Sequence, residues 1–411
     1  MFMVRRCRIR ICRATNDPDL LMTKVTNESQ AVDFVRQARA EKKPFEIVGG
    51  GTRRHLGAPI PAGLAQLDLS AIKGIINYEP EELICTVAPG TPLPEMESVL
   101  AQRGQRLGFD PADWSAVHGI TGTATIGGAL SVDAYGPGRL LRGPARDSLL
   151  AFRGINGLGE NFRGGAKVVK NVTGFDLPKL VCGAFGTLSV LTELTFRVYP
   201  RPSRVAVLVV KDAGPLEGFA YLRKIARSAL EPSGLAYLPA NNTLLPDVGR
   251  GAALIRLEGE ETPLAEKIAM AKALLGVHLD DVADGVDLFG RIRDGAMFAA
   301  TPLDIWRVMI PATEAPRVAA EIAAPLWLGD QSGGLLWLAA PTASAGLIRG
   351  LAAANDGQAM LLKASDESRA RLGLYAPPPP ALAGLRARVK NAFDPDGLLN
   401  PGRLDNFGSG S

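Results

Sequence analysis

The chain has 411 residues, 46% hydrophobic and 21% charged, with a formal net charge of +4. That length exceeds what one hydrophobic core fills, so two or three packed units are expected, and the composition excludes a disordered or low-complexity chain. Charges nearly balance beyond an Arg-rich start, and no charge-free apolar run reaches about 18 residues, so neither nucleic acid as a partner nor a transmembrane segment is expected.

Residues 1–21 ("MFMVRRCRIRICRATNDPDLL") lack an apolar stretch followed by a small-residue cleavage site. They read as a disordered extension, or as sequence upstream of a start at Met22, and not as a signal peptide. From Asn27, "NESQAVDFVRQARAEKK" offers a capping residue and then Ala31, Phe34, Val35 and Ala38 at helical spacing. The strand "FEIV" runs into Gly49, Gly50 and Gly51. A second strand, "LAQLDLS", precedes a hairpin around "YEPEE". Next, "TPLPEMESVLAQRG" reads as a helix capped by Thr91, with Pro92 in its first turn and Gly104 as its stop.

Residues 109–148 are glycine-rich with little periodicity, which predicts a long ordered loop or a set of short turns, and loops of that length usually carry function. A hairpin turning at "NGLGE" and a β-branched strand, "FGTLSVLTELTFRVYP", follow, and "YPRPSR" marks a boundary near residue 202. Beyond it, strands alternate with helices expected over 215–230, 262–275, 313–324 and 343–354, the pattern of one sheet covered by helices. "APPPPALAGL" leads into a last helix that ends in "KNAFDPDGLLNPGRL". No internal repeat is visible. The four cysteines, Cys7, Cys12, Cys85 and Cys182, have neither zinc nor iron–sulfur spacing. Scattered thiols without an export signal fit a reducing cytoplasm.

Alone, the triple glycine is a weak signal. It follows a strand, as a dinucleotide loop does, but lacks the G-x-G-x-x-G spacing, the helix directly after it, and an acidic residue about 20 positions on. A plain structural turn is the simple alternative. The second cluster, "GITGTATIGGAL" at 119–130, shifts the balance. Alternating Gly and Thr present backbone N–H groups and hydroxyls with little bulk, which is the chemistry of a pyrophosphate cradle.

Taken in order, "VGGGT", "TIGG", "KNVTGFDLPKL" with "GAFGTLSVLTE", and "FDPDGLLNPGRL" resemble the FAD-linked oxidases of the vanillyl-alcohol oxidase and p-cresol methylhydroxylase type, over about residues 27–202 and 385–403. Within them, "VGGGTRRHLG" and "VVKNVTGFDLPKLVCGAFG" are most similar to the FAD-binding accessory subunits of bacterial glycolate oxidases. The resemblance implies an α+β fold, a two-lobed FAD-binding domain with an α+β cap. Its boundaries would be 22–202 for the FAD domain, 203–375 for the cap, and 376–411 for a C-terminal helix and a segment returning to the FAD domain.

The resemblance also implies roles. Gly49, Gly50, Gly51, Thr52 and Arg53 match the loop around the FAD diphosphate, and Pro89 and Gly90 match a turn near the adenosine. Gly122, Thr123, Ala124 and Thr125, with Gly127 and Gly128, match the segment along the diphosphate and flavin. Val190 matches a residue whose backbone meets the adenine, and Asn400 an asparagine near the isoalloxazine ring. Relatives that attach FAD covalently carry a histidine where this chain has Thr52, so noncovalent FAD is expected and His55 is a loop or surface histidine. In relatives that oxidise 2-hydroxy acids, a cap motif with two histidines holds a metal. Here "WLGDQSGGLLW" keeps Gly329 and Asp330, has Trp327 in the first histidine's place and lacks the second, so no metal is expected. His278 is isolated and reads as a surface residue.

The catalytic residues are unknown from the sequence. Arg307, in "DIWRVMIP", is the candidate for holding a substrate carboxylate, the alternative being a strand arginine at an interface. Lys167, Lys170 and Lys179 either neutralise the cofactor or coat the surface, the surface being favoured for Lys179. The function implied is that of an FAD-binding subunit in a glycolate-oxidising complex that yields glyoxylate, with a paralogous flavin subunit and an iron–sulfur subunit as partners. Its place would be the cytoplasm, peripheral to the inner membrane through those partners. The alternatives are a self-sufficient FAD-dependent oxidoreductase acting on another 2-hydroxy acid or alcohol, and a structural subunit that no longer binds FAD.

Overall fold

The computed structural model describes residues 22–166 and 175–404. The 1–21 extension, Lys167 and Lys170 therefore lie outside the described residues. Near the start, three short parallel strands form a sheet, with Ala65–Asp68 between Met22–Lys24 and Phe45–Val48. The helix Glu28–Ala40 starts at Asn27, whose side chain accepts the Gln30 N–H. It turns Ala31, Val32, Val35 and Ala38 inward, and Phe34 meets Phe45 edge-on at 5.0 Å. The open edge of Phe45–Val48 is taken by the far end of the chain. Phe45 N–H donates to Leu398 C=O at 2.9 Å, and Asn400 N–H donates to Phe45 C=O at 3.1 Å.

A second, antiparallel sheet runs Ile75–Glu79, Ile84–Val87, Val190–Pro200, Leu149–Ile155, Asn161–Gly165, and Gln105–Leu107 pairs with the far end of Val190–Pro200. The strand expected from Phe185 begins only at Val190, because Phe185 to Ser189 form a turn. The helix Leu93–Ala101 follows Pro92, and Thr91 does not cap it. Thr91 Oγ1 instead donates to Ala88 C=O and accepts the Gly74 N–H, pinning the preceding turn. The 109–148 segment is not a plain loop: it holds four short helices, Ser115–His118, Ile126–Ser131, Arg139–Arg142 and Ala145–Ser148.

From Arg204 the chain builds an eight-stranded antiparallel sheet. Its first half, Arg204–Val210, helix Pro215–Ala226, Gly234–Pro239, Gly251–Gly259, helix Glu261–Leu275, Asp280–Asp281, is a β-α-β-β-α-β unit. Its second half, Asp304–Met309, helix Ala315–Ile322, Leu326–Asp330, Leu335–Ala340, helix Ala345–Ala354, Gln358–Lys363, repeats that order. The two join edge to edge where Tyr237 pairs with Gly329. The repeat that the sequence hides is thus present in the topology. One face of the sheet packs under the four helices. The other, with Leu328, Leu335, Trp337 and Met360, shares a core with Trp114, Phe109 and Phe196 of the preceding segments.

Candidate functional site

The strand Phe45–Val48 delivers Gly49, Gly50 and Gly51 to a cleft. Pro89, Thr125, Gly127, Gly128, Phe185 and Asn400 complete its wall. Among the described residues, the backbone N–H groups of Gly49, Gly50, Gly51, Thr52 and Arg53 donate to no acceptor, and neither do those of Thr121 to Thr125. The first run is buried or half-buried, where amides are rarely left unpaired, so it forms a cradle for an anion with Thr125 on the facing wall, while Thr121 to Thr123 are exposed.

The glycines let the two runs meet. A Cβ on Gly50 would lie 1.9 Å from the Thr123 carbonyl oxygen, and one on Gly49 would lie 2.9 Å from Thr125 Oγ1. Gly51 takes φ +74° with open space beside it. Gly127 is held by its N–H on Pro89 C=O at 2.9 Å, and its missing Cβ makes room for Pro89.

Not every expected residue lines the cleft. Gly90 packs on the Leu69–Ile72 turn, where a Cβ would meet the Leu69 carbonyl oxygen at 2.4 Å. Gly122, Thr123 and Ala124 do not line it, Gly122 and Thr123 sitting exposed against the first loop, and Val190 is fully buried while its neighbours Ser189 and Leu191 face the cleft. Asn400 does line it, but its polar atoms are taken: Oδ1 accepts the Ile47 N–H at 2.7 Å and Nδ2 donates to Phe185 C=O at 2.7 Å. It is a clamp joining three segments.

Arg53 is buried over Trp114 at 5.3 Å, donates to Ala112 C=O, and is pushed down to about 10 by burial, with Asp113 and Asp294 pulling it back. Arg403, which the sequence reading passed over although it stands in "NPGR", donates to the carbonyls of Arg54 and Arg53 and ties the return segment to the glycine loop. Phe185 and Gly186, inside "GAFGT", were legible in the same way.

A second cavity adjoins the first, with Val132 and Phe185 lining both. Arg307 enters it from the eight-stranded sheet, 3% exposed, with its guanidinium 4.9 Å from the ring of Trp114, 4.6 Å from Tyr135 and 5.0 Å from Trp337. Its Nε and Nη2 are buried without a hydrogen-bond partner. A buried cation that keeps donors unspent is costly unless an anion completes it. Arg139, Arg146, Tyr375 and Asp133 share the cavity, and burial pushes the Tyr375 phenol up to about 12.

Strand register separates the remnants of the cap motif. Asp330 lies on the same sheet face as Arg307, whereas Trp327 points to the other and stacks on Tyr237 at 5.6 Å. Among the described residues, no group of three or more His, Cys, Asp or Glu side chains could hold a metal ion. His55 and His118 stack at 6.1 Å beside the glycine loop, and burial first, then His55 and Arg53, push His118 down to about 3, so it is neutral. His278 sits on the surface, 2.7 Å from Asp280, and Lys179 pairs with Asp176 there.

Comparison with known proteins agrees with this geometry. Residues 20–165 match the FAD binding domain family. The chain is 32% identical to glycolate oxidase subunit GlcE of Escherichia coli strain K12 over 93% of its own length and 99% of that protein's. It is 30% identical to glycolate oxidase subunit GlcD of Bacillus subtilis strain 168 over 40% of its length and 34% of that protein's. Among solved structures, p-cresol methylhydroxylase with substrate bound superposes with a TM-score of 0.66 at 14% identity, covering 93% of this chain and 88% of that one, which shows the α+β fold with its cap. No helix among the described residues is long and apolar enough to cross a membrane. The glycine cradle and the end-to-end likeness lead to one conclusion: the chain belongs to the FAD-linked oxidoreductase family that includes the glycolate oxidase subunit GlcE of Escherichia coli.

Proposed function

We propose that this chain is the FAD-binding subunit of a multi-subunit glycolate oxidase, working beside a paralogous flavin subunit and an iron–sulfur subunit in the oxidation of glycolate to glyoxylate. One observation carries the reading: a run of unpaired amides from Gly49 to Arg53 faces Thr125 in a single cleft, in a chain alike to GlcE along its whole length. The likeness of part of the chain to GlcD supports a paralogous partner. On this reading Gly49 to Arg53 and Gly122 to Thr125 hold the FAD diphosphate. Pro89 and Gly90 shape the adenosine end, with Val190 supporting it from the core. Gly127, Gly128 and Asn400 shape the path of the flavin. Residues 22–202 with the return segment form the cofactor unit, and 203–375 the cap.

Bound FAD supplies the two-electron acceptor; the protein contributes position and electrostatics. Thr52 offers no imidazole, so the cofactor is held noncovalently. A second reading, a self-sufficient oxidoreductase, draws on the buried Arg307 and its unspent donors. One set of measurements separates the readings. The purified chain should be yellow and release its flavin on acid precipitation. Glycolate should reduce the flavin fully only when the partners are co-expressed. Full reduction of the isolated chain favours the second reading, and a colourless chain overturns both.

A further inference from the structure

The cavity around Arg307 contains one carboxylate, Asp133. Its backbone is left-handed, φ +47°, a conformation that aspartate adopts more readily than most side chains. The position is fixed from three sides: Asp133 N–H donates to Leu130 C=O at 3.0 Å, Gly183 N–H donates to the same carbonyl at 3.0 Å, and Phe185 N–H donates to Ser131 C=O at 2.7 Å. One carboxylate oxygen, Oδ1, accepts the Cys182 thiol at 3.6 Å, and among the described residues Oδ2 has no hydrogen-bond or ion-pair partner. Arg307 stands in the same cavity without touching Asp133, which leaves space between a guanidinium and a carboxylate for a small molecule bearing an anionic end and a hydroxyl. The cavity shares Val132 and Phe185 with the cofactor cleft, so such a molecule would lie at that cleft's end.

We propose that Asp133 is a catalytic base of this chain itself, accepting the hydroxyl proton of a small 2-hydroxy carboxylate anchored on Arg307. This rests on the second reading above, in which the chain oxidises a hydroxy acid itself with FAD in the cleft. In the step, the hydroxyl O–H bond breaks and its proton passes to Asp133. The α-carbon C–H bond breaks, and its hydrogen leaves with the electron pair to oxidised FAD. The C–O bond becomes the carbonyl of a 2-oxo acid. The cofactor is reduced by two electrons, and Asp133 later returns its proton to solvent. No other group lining the cavity suits the role: Tyr135 and Tyr375 are phenols and the rest of its titratable lining is arginine. Burial raises the Asp133 carboxyl above its ordinary range, while Arg139, the Cys182 thiol, Arg146 and Arg307 pull it back, and a raised carboxylate is the better proton acceptor.

The test uses the full flavin-loaded chain and the variant Asp133→Asn, since asparagine tolerates the left-handed backbone and keeps the side chain's shape. Two readouts are needed: anaerobic bleaching of the flavin by glycolate and by D-lactate, and binding of oxalate followed by tryptophan fluorescence, because Trp114 and Trp337 flank Arg307. The proposal expects the wild type to be bleached, faster as pH rises through the Asp133 titration. It expects Asp133→Asn to bind oxalate within about threefold of wild type or more tightly, yet bleach about 100-fold more slowly and without that pH dependence. Arg307→Lys should weaken oxalate about tenfold or more. Bleaching of Asp133→Asn at the wild-type rate overturns the proposal, as does parallel loss of oxalate binding and bleaching in that variant. A flavin-loaded wild type that neither acid bleaches overturns it while leaving the proposed subunit function intact; a chain that binds no flavin overturns both.

Discussion

Single residues decide whether the two amide runs can meet. Gly50 and Gly51 are adjacent and both lack a side chain, but for different reasons. At Gly50 the constraint is space, since a Cβ would sit 1.9 Å from a carbonyl oxygen of the opposing loop. At Gly51 it is conformation alone, φ +74° with nothing within 4 Å. Gly50→Ala should therefore drive the loops apart and abolish flavin retention. Gly51→Ala should cost about 1 kcal/mol in stability and keep much of the flavin. The flavin-to-protein absorbance ratio and the thermal midpoint of each variant check this, and equal flavin loss in both would refute the distinction. The sequence displays the glycines but not this difference, because what separates them is the Thr123 carbonyl on a loop more than 70 positions away.

Among elements, the ones legible in the sequence are those whose own periodicity decides them. The helix Glu28–Ala40, with its Asn27 cap, is one, and the helices Pro215–Ala226 and Glu261–Leu275 are others. The 109–148 segment was not legible as structure, because its short helices are held by contacts from elsewhere. Asp110 is the clearest case. Its carboxylate takes Arg142 at 3.0 Å and Arg256 at 3.0 Å, while Glu258 takes Arg142 at 3.1 Å and Arg106 at 2.6 Å. This buried network joins the glycine-rich segment to the strand Gly251–Gly259. Burial alone would raise the Asp110 carboxyl, but Arg256 and Arg142 outweigh it and hold it well below the usual range. A depressed folded value gives stability that is present above the unfolded pKa, near 4, and lost as pH falls below it. Asp110→Ala leaves two buried cations short of a partner and should destabilise the protein by about 3–5 kcal/mol at neutral pH. It should also flatten the acid limb of the stability curve. Urea titrations at pH 7 and at about pH 2.5 read both effects, and an unchanged acid limb would count against the network.

At the scale of the whole molecule, the chain closes on itself at the site. The repeat of the eight-stranded sheet stayed invisible because its halves share an order of elements and a burial pattern but no side-chain signature. The closing segment was easier to see, since "FDPDGLLNPGRL" is a motif, although its physical task emerges only from contacts. Asp394 organises it, accepting the N–H groups of Leu398 and Leu399 and an ion pair from Lys390 at 2.5 Å. Leu398 and Asn400 then edge the first sheet beside Phe45, Asn400 reaches Ile47 and Phe185, and Arg403 holds the carbonyls of the glycine loop. The amide run from Gly49 to Arg53 is thus positioned from behind by residues over 340 positions later in the chain. Removing residues 394–411 should leave the eight-stranded sheet folded but release the loop from Gly49 to Arg53, so that the truncated chain loses its flavin. Asp394→Ala in the full chain should lose it in part, by withdrawing the acceptor of three hydrogen bonds worth roughly 1 kcal/mol or more each. Circular dichroism and bound flavin, measured together, test the chain of reasoning: a truncated protein that stays yellow would show that the glycine loops hold their shape without the clamp.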